Sequence, residues 1–84
     1  MKVEEKLEEL GYIIATYANL KIAYKLINNA YIHIAITMNG KIDDYNVRGN
    51  LFIRYQSDID NIQTAYNILQ SDLKELENEY KNIQ

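Results

Sequence analysis

The chain has 84 residues, of which 48% are hydrophobic, and its formal net charge is −3. This length suits one small domain, near the size at which a core is hard to close without a disulfide, a metal or a partner. No cysteine is present, which excludes disulfides and thiolate metal sites. The acidic start and the lack of a long apolar run are unlike a secretion signal or a membrane span, so we expect a cytoplasmic protein that does not bind membranes.

The last third of the chain predicts a long helix. From Ile59 to Ile83, apolar residues recur at steps of three and four, which places them on one helical stripe. A helix over residues 58–83 is about 39 Å long, whereas a compact chain of this length has a radius of gyration of only about 12 Å. We therefore expect an elongated molecule or an assembly.

The same seven-residue phase extends back to the start of the chain. With Val3 as position a of a heptad, every seventh residue is apolar or aromatic, and the d positions are apolar except Lys6, Lys41 and Arg48. Such a pattern is typical of helices that pack side by side. Most tyrosines fall at a positions, so we expect them in the core; Tyr12 lies clearly outside this seam.

These patterns predict an all-α fold, a single long antiparallel helical hairpin with coiled-coil packing. Helix A covers about 2–38, a turn covers about 39–50, and helix B covers about 51–83. Gly11 then lies inside helix A at a cost near 1 kcal/mol. Asn39-Gly40 ends that helix, because glycine readily adopts the left-handed conformation of a C-cap.

Two helices alone cannot enclose a core, because each has a neighbour on one side only. The apolar residues on their far sides predict a homo-oligomer, either a four-helix bundle or a larger assembly. The predicted oligomer interface consists of seven residues: Ile14, Ile22, Leu26, Ile32, Ile36, Ile53 and Ile68.

A strand interpretation of the middle of the chain stays open. The segment before Asn39-Gly40 alternates between apolar and less apolar residues, and both Asn28-Asn29 and Asn39-Gly40 suit hairpin turns. This alternative is an α+β fold with the order α-β-β-β-α. Folding back at the second turn would set Asp43 on the same face as Ile36, which counts against it. A hairpin turn at Asn28-Asn29 would exclude the helical hairpin.

Few side chains offer catalytic chemistry. His33 is the only histidine, Ser57 and Ser71 are the only serines, and no nucleophile, phosphate-binding or metalloprotease motif occurs. The carboxylates of residues 72–79 are at helical spacing, but a solvated acidic face is the commoner outcome of such a run. We predict no enzyme activity, no metal, no cofactor and no small-molecule substrate.

Charge is divided along the chain. Between residues 12 and 56 the basic residues outnumber the acidic ones, whereas both ends are acidic. Single-stranded DNA, or a DNA-binding protein, is therefore a candidate partner beside a second copy of the chain. The predicted nucleic-acid contacts are the five basic residues of this region: Lys21, Lys25, Lys41, Arg48 and Arg54.

Three segments carry a resemblance to a known class of protein. They are the aromatic-dotted "YANLKIAYKLINNAYIHIAITM", the short "NGKIDDYNVRG" and the helical "YQSDIDNIQTAYNILQSDLKELENEYKNI". Together they resemble the small helical-hairpin proteins of phage recombination operons, which include mediators that oligomerise and help load a recombinase onto single-stranded DNA. The resemblance implies a non-enzymatic oligomeric accessory protein of a phage or mobile element that acts on a nucleoprotein complex.

Two other functions stay open. One is a small acidic inhibitor of a host defence protein, of the anti-CRISPR kind, in which the carboxylates of residues 72–79 imitate nucleic-acid phosphates. The other is a purely structural assembly role.

Overall fold

A computed structural model describes residues 3–49 and 56–83. The chain forms two helices and four strands in the order α1 (Val3–Glu9), β1 (Ile13–Tyr17), β2 (Leu20–Ile27), β3 (Ala30–Ile36), β4 (Ile42–Arg48) and α2 (Gln56–Ile83). The predicted all-α helical hairpin, with its coiled-coil packing and its helix A over 2–38, is therefore wrong. The α+β alternative is confirmed, with four strands where three were expected.

Two-residue turns join the first three strands. The strands form one antiparallel sheet in the order β1-β2-β3-β4, with Tyr17 paired to Leu20 and Ile27 paired to Ala30. Ala18 and Asn28 begin the two turns with φ values of 48° and 56°. A positive φ at the first central position is the requirement of a type II′ hairpin turn. Since Asn28-Asn29 is a turn, the helix predicted through it cannot form.

A β-bulge at the start of β4 removes the objection to the strand interpretation. Ile36 pairs with Ile42 and Ala35 pairs with Asp44, so the register shifts and Asp43 is the extra residue. A bulge absorbs one residue of a strand without changing the face of the residues beyond it. The apolar side of β3 therefore stays matched to Ile42 despite the acidic pair that follows.

Gly11 ends α1 instead of lying within a longer helix. Its φ is 100°, its N–H donates to Glu8 O at 3.0 Å, and the next N–H, of Tyr12, donates to Leu7 O at 2.9 Å. This pair of bonds is a Schellman motif, in which a left-handed residue satisfies the last carbonyls of the helix. The motif also brings Tyr12 and Leu7, both buried, to the same side of the chain.

The long C-terminal helix is confirmed, although its buried stripe is rotated from the predicted one. α2 has 28 residues, about 42 Å of helix, and the molecule measures 44 × 29 × 18 Å. Among the side chains of α2 that the structure describes, the fully buried apolar ones are Ala65, Leu69 and Leu76. Ile59 and Tyr66, predicted in the seam, are 47% and 45% exposed. Neither described helix combines the length and the apolarity that crossing a bilayer requires.

Both helices cover one face of the sheet. Ile32, Ile34 and Ile36 alternate along β3 towards the helices and are fully buried, together with Leu7 of α1 and Leu69 of α2. α2 lies mainly over β3 and β4, and α1 lies beside β1. The result is a two-layer domain, with helices on one side of an antiparallel sheet and a second sheet face that no described element covers.

Candidate interaction surface

The sheet face that points away from the helices, termed the outer face, is largely apolar. Ile32 and Ile34 point towards the helices, so the residues that alternate with them along β3 point to the outer face. Directly paired residues of neighbouring strands share a face, which extends the assignment to the other strands. The outer face consists of Ile13, Ala15, Tyr17, Leu20, Ile22, Tyr24, Leu26, Tyr31, His33, Ala35, Asp44, Asn46 and Arg48. Several of its large side chains are strongly exposed: Leu26 at 71%, Tyr17 at 64% and Ile13 at 57%.

Charge on the outer face is confined to β4, at the sheet edge. Asp44 pairs with Ala35 and Arg48 pairs with Tyr31, so the two charges lie near opposite ends of the same strand, and both are exposed. Four residues of strand separate them by about 13 Å. The outer face is therefore apolar and aromatic over β1 to β3, with one positive and one negative group along its border.

A polar spot lies in the middle row of this face. His33 and Asn46 are direct cross-strand partners, and Tyr24 lies on the other side of His33. Nδ1 of His33 and Oδ1 of Asn46 are shielded from solvent and have no hydrogen-bond partner among the described residues. Unpaired polar atoms of this kind are uncommon in folded proteins.

Two of the predicted nucleic-acid residues lie on the helix side of the sheet. Lys21 Nζ is 2.8 Å from Glu4 Oε1, and Lys25 Nζ is 3.2 Å from Asp72 Oδ2. Both ammonium groups are paired with carboxylates from the helices. They therefore neutralise internal acidic groups and contribute little positive field to the outer face.

The other predicted basic residues form no continuous patch. Lys41 precedes β4 and Arg48 ends it, and both are exposed. Seven residues of nearly extended chain place them roughly 20 Å apart. Arg54 lies outside the described residues. The structure thus brings none of the predicted basic residues together on one binding groove within the part of the chain that it describes.

The predicted interface residues separate into three groups. Ile22 and Leu26 lie on the outer face, as an interface requires. If this segment were a helix, Ile32 and Ile36, four residues apart, would share one exposed face. In strand β3 they instead point into the core and are fully buried. The remaining three lie elsewhere: Ile14 and Ile68 are half-buried against the core, and Ile53 is outside the described residues.

Sequence reasoning missed a buried polar cluster under the helices. The hydroxyl of Tyr12 donates to Asp72 Oδ2 at 2.8 Å, and Lys25 Nζ donates to the same oxygen at 3.2 Å. Lys25 also lies 5.2 Å from the centre of the Tyr12 ring, within cation–π range. Burial raises the pKa of the Tyr12 hydroxyl well above its ordinary value, and the hydrogen bond to Asp72 raises it further.

This cluster joins β2, α2 and the connection between α1 and β1. Tyr12 is 4% exposed and Asp72 is 6% exposed, so the tyrosine outside the heptad seam is the most buried of the described tyrosines, and the acidic run of α2 begins inside the core. The position of Tyr12 outside the heptad seam was the only feature of the sequence that pointed to this cluster. Among the described residues, no group of three or more histidine or acidic side chains could hold a metal ion.

Comparisons of the chain with protein-family models, with curated proteins and with solved structures gave no match. The class of the protein is therefore defined by its own geometry: a two-layer α+β domain with an apolar sheet face that none of the described elements covers.

Proposed function

We propose that this chain is a non-enzymatic cytoplasmic accessory protein that binds another protein through the outer face of its sheet. The observation that carries this proposal is the number of exposed large apolar residues on that face, led by Leu26, Tyr17 and Ile13. Contiguous apolar surface is uncommon on small soluble domains unless a partner covers it. Each large side chain that a partner removes fully from water favours binding by about 1.5–3 kcal/mol before the entropic costs of association.

A protein partner fits the surface better than single-stranded DNA does. The tyrosine rings of the outer face could stack on bases, but base stacking works beside a cationic groove that follows the phosphates. Asp44 offsets Arg48 on this face, and Lys21 and Lys25 are paired with carboxylates on the opposite side. The outer face therefore has aromatic area without the positive charge that DNA requires.

The functions suggested by the sequence draw little support from the structure. The resemblance to phage recombination mediators rested on two long helices, of which only α2 is present. The inhibitor hypothesis rested on the carboxylates of residues 72–79, and Asp72 is buried and paired with Lys25. An accessory or assembly role remains, and it rests on the outer face alone.

Photo-crosslinking in the native cell tests the proposal. A photoreactive phenylalanine analogue at Leu26 should give a protein adduct of defined mass, whereas the same analogue at Gln70, exposed on α2, should give none. The purified chain should show no anisotropy change with a labelled oligothymidine at low salt. Crosslinking at Gln70 alone, or saturable oligothymidine binding that is lost in a Leu26→Glu variant, would contradict the proposal.

A further inference from the structure

We propose that the partner of the outer face is a second copy of this chain, bound as a two-fold symmetric dimer. The two sheets would stack face to face, with both helix layers outside. This inference rests on the proposed function, because it names the partner of the same surface. It follows from the arrangement of charged, large and small side chains on the outer face, which is complementary to itself under one particular rotation.

The charges of β4 define that rotation. A two-fold axis that lies between the sheets and runs across the strands places β4 over the β4 of the partner, with the strand direction reversed. Arg48 then lies over the partner's Asp44, and Asp44 lies over the partner's Arg48. Stacked sheets are about 10 Å apart, a distance that extended arginine and aspartate side chains span together. Both charges of the outer face are paired by this one operation.

The same rotation matches large residues with small ones. The row that contains His33 and Asn46 lies on the axis, so the rows on either side of it exchange places. Tyr31 then lies over the partner's Ala35, and Leu26 lies over the partner's Ile22. A bulky ring above alanine and two aliphatic side chains in contact are the kind of interdigitation that sheet sandwiches use.

The axis also brings the polar spot against its own copy. Asn46 Oδ1 lacks a hydrogen-bond partner within the described chain. That atom is shielded from solvent within each chain, so the second copy does not reach it, but the axis still places amide against amide, groups that carry both donors and an acceptor.

Other ways of joining two copies fit less well. A two-fold axis parallel to the strands would place β4 over β1, so that Asp44 would lie over the partner's Ala15 and Arg48 would lie over no residue of the partner's β1. Pairing through the edge of β4 on which no described strand lies is opposed by the adjacent carboxylates of Asp43 and Asp44 and by the bulge at Asp43. Charged residues and bulges are common devices that protect sheet edges from pairing.

The size of the face predicts a weak dimer. Four strands spaced by about 4.8 Å and seven residues long cover roughly 19 × 23 Å. This flat area is about 450 Å² per copy, and protruding side chains add further accessible surface to it. Two copies therefore bury about 1,000 Å², at the lower limit for specific interfaces. We expect dissociation constants in the micromolar range and a dimer fraction that rises between about 1 and 500 μM.

Charge reversal provides the decisive test. Asp44→Arg places two arginines opposite two arginines, and Arg48→Asp places two aspartates opposite two aspartates. Each variant alone should dimerise at least about tenfold more weakly in sedimentation velocity. The equimolar mixture of the two variants should form a heterodimer near the wild-type affinity, as should the double variant on its own. Asp60→Arg, a reversal at an exposed position of α2, is the matched control and should leave dimerisation unchanged.

The outcomes separate this inference from the proposed function. A wild-type chain that stays monomeric at 500 μM overturns the dimer, while the crosslinking at Leu26 still tests the face against other proteins. A wild-type dimer that Leu26→Glu abolishes, with no recovery in the charge-reversed mixture, overturns the two-fold arrangement. Circular dichroism spectra identical to wild type show that each variant is folded, which both surface positions on β4 should permit.

Discussion

Replacing Asp72 with alanine tests whether the buried cluster stabilises the docking of α2 on the sheet. Asp72 Oδ2 accepts hydrogen bonds from Tyr12 and from Lys25, so its loss leaves two donors without an acceptor. A buried hydroxyl left unpaired costs about 1–3 kcal/mol, and breaking a buried ion pair costs about 3–5 kcal/mol. The Lys25 side chain is 22% exposed and can extend towards water, which reduces the second term. We expect Asp72→Ala to lower the free energy of unfolding by about 2–4 kcal/mol, a large share of the roughly 4–13 kcal/mol typical for this chain length.

Urea unfolding followed by the helical circular dichroism signal measures this loss, provided that the m value is unchanged. A matched triple variant, Tyr12→Phe with Lys25→Met and Asp72→Leu, removes the whole cluster and leaves no buried polar group unpaired. It should lie within about 1 kcal/mol of wild type, because apolar replacements of a complete buried pair are often neutral. An Asp72→Ala loss below about 0.5 kcal/mol, or a triple variant no more stable than Asp72→Ala, would refute the reasoning.

Three further perturbations follow from particular backbone and side-chain positions. The raised pKa of Tyr12 means that the folded chain keeps a proton which the unfolded chain loses near pH 10. The free energy of unfolding should therefore fall above that pH by up to about 1.4 kcal/mol per pH unit. Tyr12→Phe should remove this component in urea titrations between about pH 9 and 11. Ala18→Gly should stabilise the chain by about 0.5–1 kcal/mol in thermal unfolding, because φ is 48° there; a gain no larger than that of Asn28→Gly would contradict this, since asparagine tolerates that conformation better. Gly49→Ala should lower the free energy of unfolding by about 1 kcal/mol, because the added Cβ would lie 2.8 Å from Ile62 Cδ1. A double-mutant cycle with Ile62→Ala should show that this loss disappears once the isoleucine side chain is shortened.

The seven-residue repeat that favoured a helical hairpin has its origin in the strand turns. Tyr17, Tyr24 and Tyr31 are each separated by one two-residue turn, and they all lie on the outer face. Across such a turn, an odd-numbered residue pairs with an even-numbered one, and the two share a face of the sheet. A step of seven also changes odd to even, so a step of seven that crosses one turn returns to the same face. A regular series of hairpins can therefore reproduce a heptad, and periodicity alone does not distinguish the two.

Local chemistry was more informative than periodicity. The C-terminal helix was predictable because no glycine, hairpin dipeptide or change of phase interrupts residues 58–83. Gly11 was the signal that helix A stops early, because a glycine with positive φ ends a helix in a Schellman motif. Asn28-Asn29 is the position that decides between the folds, because the turn there excludes a continuous helix. The Tyr12, Lys25 and Asp72 cluster could not be found, because it depends on which strand face α2 covers.

The order of strands along the chain has a consequence for folding. Every strand pairs with its neighbour in sequence, so the sheet has a low contact order and should form quickly, starting from the two-residue turns. During synthesis the sheet is complete once Arg48 has emerged, whereas α2 is complete only at Ile83. Until then Ile32, Ile34 and Ile36 have no cover from α2, and a newly made chain carries apolar surface on both sides of its sheet, the condition in which nascent chains depend most on chaperones.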